Sequence, residues 1–165
     1  MSTPALLLIT DQYLTSIMMA TSNGEPSFII KVIADEIKKG NIDRSTMSDS
    51  LSANGSTSLW CIQDVNICTN EMMAEIREKY GCVWDYNLNL VNNNISIYSD
   101  ECLENGYDNS KPIDPRCGLN LFPSPNKESE YNLLTSTMRR ITQAGFNING
   151  ENRIKSSPFK VVPLQ

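Results

Sequence analysis

The chain has 165 residues, 40% apolar and only 7% aromatic, and sets fourteen Lys and Arg against nineteen Asp and Glu for a formal charge of −5. It contains no histidine, which excludes Ser-His-Asp and Cys-His catalysis, histidine-ligated metals and an ordinary imidazole pH switch. The acidic balance disfavours strong nucleic-acid binding, since affinity for phosphates rests on Lys and Arg.

A domain of roughly 150 residues buries about 68–70% of its unfolded surface, so 1–165 reads as a single domain that needs neither metal nor disulfide to hold its core. Residues 1–12 carry an apolar run from Ala5 to Ile9, but no basic segment precedes it and Asp11 follows. That pattern does not match a secretory signal, and no run approaches the roughly 20 apolar residues of a bilayer span. The five cysteines, Cys61, Cys68, Cys82, Cys102 and Cys117, are odd in number and widely spaced. An oxidised scaffold prefers an even count in a shorter chain. The expected compartment is therefore the cytoplasm or a virion, with no membrane contact.

In chain order, the N-terminal third reads as helical. Thr3 offers a cap, Pro4 fits the first turn, and Leu6, Leu7, Tyr13, Leu14, Ile17 and Met18 recur at helical spacing. A short strand over Ala5 to Ile9 competes with that reading, because so short an apolar run has no decisive period. Pro26 opens a clearer helix. Ile29, Ile30, Ile33, Ala34 and Ile37 line one face, Lys31, Asp35, Lys38 and Lys39 the other, and Gly40-Asn41 stops it. Residues 43–58 are Ser-rich, with Met47 and Leu51 as the sizeable apolar groups, and are expected to form a loop with at most one helical turn.

Leu59 to Ile62 is a short strand candidate. Thr69 caps a helix through Met72, Met73, Ile76 and Tyr80 that Gly81 ends. Trp84, Tyr86, Leu88 and Leu90 then alternate with Asp85, Asn87 and Asn89, a half-buried strand. The Asn92-Asn93-Asn94 turn returns it as a second strand over Ile95 to Tyr98. Residues 99–125 are irregular. A helix from about Pro125 to Ala144, capped by Ser124, buries Tyr131, Leu134, Met138 and Ile141. The segment 146–165 begins as a hairpin around Asn149-Gly150 and ends as a basic arm. The fold class is α+β: three to four helices packed on a small, mainly antiparallel sheet built from the central and C-terminal hairpins.

Motifs for chemistry are few. Neither phosphate-cradling glycine loop is present, no pair of cysteines has zinc spacing, and Cys61 and Cys82 read as small core hydrophobes. No cofactor is implied. Asp100, Glu101, Glu104, Asp108 and Asp114 cluster in the irregular region. They are the weak candidates for a hard cation, or for a carboxylate pair of the kind that cleaves glycosides. A solvated acidic face is the plainer reading of them.

The charge pattern is sharper. Residues 64–114 hold ten acids and three basic groups, while 138–165 carry Arg139, Arg140, Arg153, Lys155 and Lys160 against Glu151 alone. Such asymmetry points to electrostatic contact. Arg139, Arg140, Arg153, Lys155, Phe159 and Lys160 are accordingly the candidate partner-binding residues, meeting an acidic surface on the same chain, another copy or another protein. The expected role is a non-catalytic interaction or structural subunit of a larger assembly, such as a viral or phage particle. The alternatives are an acidic regulator or inhibitor of another protein, and a small carboxylate- or cation-dependent enzyme.

Overall fold

A computed structural model describes residues 3–55, 58–99, 111–120, 127–150 and 164. Its first two elements are strands, β1 (Ala5–Thr10) and β2 (Thr15–Ala20), paired antiparallel with Ala5 opposite Ala20 and Thr10 opposite Thr15. This corrects the helical expectation for the N-terminus. The apparent helical stripe breaks at Asp11, whose carboxylate accepts from the backbone N–H groups of Tyr13 (2.8 Å) and Leu14 (2.7 Å). That Asx turn reverses the chain. Every residue of β2 is buried, and β1 is apolar on both faces, so neither strand alternates as a half-buried strand would.

Helix α1 (Pro26–Lys38) follows as expected, with Ile29, Ile30 and Ile33 fully buried and Gly40 at φ +83 just beyond its end. Helix α2 (Arg44–Ala53) lies within the segment expected to be a loop. It buries Met47, Ser48 and Leu51, and Ser50 donates to buried Glu36 of α1 at 2.6 Å. Packing and this polar tie supply what the Ser-rich composition lacks in intrinsic helix preference.

Strand β3 (Leu59–Val65) runs antiparallel to β2 with a bulge opposite Ile17/Met18. Helix α3 (Asn70–Tyr80) starts at Thr69, whose hydroxyl accepts from the Met72 N–H, and ends at Gly81 in the left-handed region. Strands β4 (Trp84–Asn89) and β5 (Asn94–Ser99) form the expected hairpin, with Asn93 at φ +56 in its turn. A 3-10 turn over Pro115–Asn120, helix α4 (Lys127–Gln143) and strand β6 (Asn147–Asn149) complete the described chain.

The sheet order is β3-β2-β1-β4-β5-β6. It is six-stranded and mixed, because β1 pairs with β4, and β5 with β6, in parallel. The α+β class stands, but the sheet is larger than two hairpins. Strand β6 joins β5 in parallel, and the return strand expected toward Ile154 lies outside the described residues. So do Ser124 and Pro125 at the expected start of the last helix.

The two faces of the sheet differ. On one, Leu7, Ile9, Met18, Tyr86, Leu88, Ile95 and Ile97 form a core with α1, α2 and α4. On the other, Leu6, Ile17 and Met19 pack with Met73 of α3. The polar residues of β4 on that second face mark where the apolar cover ends: Asp85 stands beside Leu6, Asn87 beside Leu8 and Asn89 beside Thr10.

Candidate functional site

Three chain reversals meet at one end of this sheet. The end of β3 lies beside the start of β2 (Val65 opposite Thr15), and the end of β4 beside the end of β1 (Asn89 opposite Thr10). The Leu90 N–H donates to the Thr10 carbonyl at 2.8 Å, locking the β4–β5 turn to the β1–β2 turn. Neighbouring strands are about 4.8 Å apart, so residues 66–69, 11–14 and 90–93 form one rim. Each carries a solvated apolar side chain: Ile67 is 76% exposed, Tyr13 74% and Val91 63%. Ile42, 52% exposed, precedes α2 at the same end. These are four of the six large apolar side chains exposed among the described residues.

An ion cluster holds this rim together. Arg44, at the start of α2, donates through Nε to Asp11 (3.0 Å) and through Nη1 to Ser16 (2.7 Å), and its guanidinium lies 3.4 Å from Asp64. Ser16, fully buried, donates to Asp64 at 2.5 Å. Burial would raise the Asp11 pKa, but donation from the Leu14 and Tyr13 N–H groups and from Arg44 outweighs it and holds the carboxyl below its ordinary value. The cluster thus fixes the β1–β2 turn, and with it Tyr13, against α2 and β3.

Beside the rim, the sheet face beyond α3 is open and polar. A cleft of about 700 Å³ lies there, bordered by Thr10, Asn70, Arg77, Asp85, Asn87 and Tyr98. Arg77 of α3 is ion-paired with Asp85 of β4. Further along, Asn94 and Ser96 of β5 meet Asn147 and Asn149 of β6, with the Asn147 amide donating to Asn94 (3.2 Å) and the Asn149 amide to Ser96 (3.1 Å).

Three of the described thiols are poorly placed for nucleophilic work. Burial and the Asp85 charge push Cys82 up to about 11, and burial raises Cys61 and Cys68 as well. Cys61 and Cys82 are half-buried, not core residues as expected; among the described residues the fully buried thiol is Cys117.

Of the candidate residues read from the sequence, Arg139 and Arg140 are exposed on α4. Arg153, Lys155, Phe159 and Lys160 lie outside the described residues, as do Asp100, Glu101 and Glu104. Asp114, grouped with those acids as a possible cation ligand, is instead buried against Arg116. The rim escaped sequence reasoning because Tyr13 read as part of a helical stripe, Ile42, Ile67 and Val91 are isolated in short connecting segments, and the sheet order alone assembles them. No protein-family model, curated protein or solved structure matches this chain.

Proposed function

We propose that the chain is a non-catalytic interaction or structural subunit of a larger assembly, and that the turn rim of its sheet is where it meets another protein chain. The gathering of Tyr13, Ile42, Ile67 and Val91 at one end carries this reading. Single exposed apolar residues are ordinary, whereas a group of them marks a contact surface. Covering them returns about 25 cal/mol per Å² of apolar area. The Arg44 cluster supplies a polar border, the arrangement typical of protein interfaces. A non-catalytic role is supported by the raised thiols and by the engagement of Arg44, Arg77 and Arg116 with carboxylates of the same chain. Among the described residues, no helix is long and apolar enough to cross a membrane, and a protein partner or a second copy is the fitting occupant.

The test is a photo-crosslinking amino acid placed at Tyr13 or Ile67 in cells that make the protein. A discrete crosslinked protein, either a second copy or a partner, is expected from both positions. Exposed Glu78, near the other end of α3, should give none. A Tyr13→Ser, Ile67→Ser double variant should lose the complex on size-exclusion chromatography while keeping its melting temperature. Equal crosslinking from Glu78, or none from the two rim positions, would refute the reading.

A further inference from the structure

Six uncharged polar side chains stand in two rows across adjacent strands on the face opposite the main core. In one row Asn87 lies opposite Ser96, and Ser96 beside Asn149; in the other Asn89 lies opposite Asn94, and Asn94 beside Asn147. Both β5–β6 rungs are hydrogen-bonded, which holds the groups in place. Asn87 is exposed and makes no side-chain hydrogen bond to the described residues. The β4 members of the two rows, Asn87 and Asn89, border the 700 Å³ cleft, and the β5 and β6 members extend away from it. In the cleft Tyr98 supplies an aromatic ring, and Arg77 and Asp85 cancel one another's charge.

We propose that this amide platform and its cleft bind a neutral oligosaccharide. The volume is that of a small-molecule site. Each carboxamide offers two donors and one acceptor in a single plane, which matches neighbouring sugar hydroxyls that donate and accept at once. Phosphorylated or carboxylated ligands are disfavoured, since the one guanidinium bordering the cleft among the described residues is already held by Asp85. Tyr98 presents an apolar body with a polar tip, suited to the mixed faces of a sugar ring. Hydrogen-bonded rungs reduce the ordering cost on binding. The site would hold the sugar rather than cleave it. Glycoside hydrolysis ordinarily needs two carboxyl groups about 5–9.5 Å apart, and Asp85 is the only carboxylate among the described residues that border the cleft.

The four exposed apolar residues of the rim, Tyr13, Ile42, Ile67 and Val91, do not line the cleft, although Cys68 of the rim does, so either site can fail while the other stands. The full chain is screened on an array of neutral oligosaccharides from plant, fungal, bacterial and animal sources, and the best binder is titrated while the side-chain amides are followed by NMR. Saturable shifts at Asn87, Asn94 and Asn147 are expected. Asn87→Leu should weaken binding roughly tenfold, equivalent to about 1.4 kcal/mol, and Asn87→Gln should retain part of it. Both variants should keep the melting temperature, because Asn87 is exposed. Tyr13→Ser should leave sugar binding unchanged. No binder on the array, shifts confined to other residues, or a stronger response to inorganic phosphate would each overturn the proposal.

Discussion

Asp114 and Arg116 form an ion pair in the interior, and its geometry is close to ideal. Arg116 donates through Nη2 to Asp114 Oδ2 at 2.8 Å, through Nε to Oδ1 at 2.9 Å and through Nη1 to the Thr135 hydroxyl at 3.1 Å. Its guanidinium lies 5.4 Å from the Tyr131 ring centre. Burial alone would lower the Arg116 pKa, but the hydrogen bonds and charge of Asp114 reverse the sign, so the group stays charged. A pair of this kind is costly to desolvate, and its value lies in fixing the 3-10 turn against α4. Removing one member strands the other. Asp114→Asn should cost about 3–5 kcal/mol, and Thr135→Val about 1 kcal/mol, both read from urea unfolding. Equal losses would mean that Asp114 does not neutralise the guanidinium.

Among the elements, β6 depends on a glycine. The Ile113 N–H donates to the Ile97 carbonyl of β5, so residue 113 occupies the same edge lane as β6. Gly150, at φ +139, lies at the junction, and a Cβ there would overlap the carbonyl of Ile113. Gly150→Ala should therefore cost about 2 kcal/mol or more, with hydrogen-exchange protection lost first in β6. Protection unchanged there would show that the junction opens freely. Elements with a clean local signal were legible in the sequence: the apolar face of α1, the Thr69 cap and Gly81 stop of α3, and the β4–β5 alternation. Strands β1 and β2 were not, because burial on both faces removes the period that identifies a strand. Helix α2 was hidden by its serines, whose helical state rests on Met47, Leu51 and the Glu36–Ser50 bond. The candidate sites were least legible of all. Tyr13, Ile67 and Val91, and likewise Asn87, Asn94 and Asn147, are distant in sequence and meet only through strand order.

At the scale of the whole molecule, the two faces of the sheet differ in strength. Among the described residues three helices pack on one face, while α3 alone covers part of the other, with Met73 as its one buried residue. Helix α3 should therefore open before the main core. The two tryptophans separate these events. Trp60 is 38% exposed and meets Tyr80 of α3 edge-on at 6.1 Å, whereas Trp84 is buried in the main core. In a Trp84→Phe variant, the Trp60 fluorescence transition in urea should precede that variant's own far-ultraviolet circular dichroism transition. In Trp60→Phe, the two transitions should coincide. Coincidence in both would show that α3 unfolds with the core.

The parallel pairing of Ala5 with Trp84 also sets a schedule for synthesis. Strand β1 sits at the centre of the sheet, yet the strand that covers its second edge is translated 79 residues later. At typical elongation rates that interval is roughly 4–16 s. Until β4 arrives, β1, paired first with β2 and later backed by β3 on the far side of β2, presents Ala-Leu-Leu-Leu-Ile along an open edge, a template for pairing with any neighbouring chain. Nascent chains on crowded polysomes are therefore most exposed to mispairing before Trp84 emerges, and fragments that end short of it keep that edge open permanently.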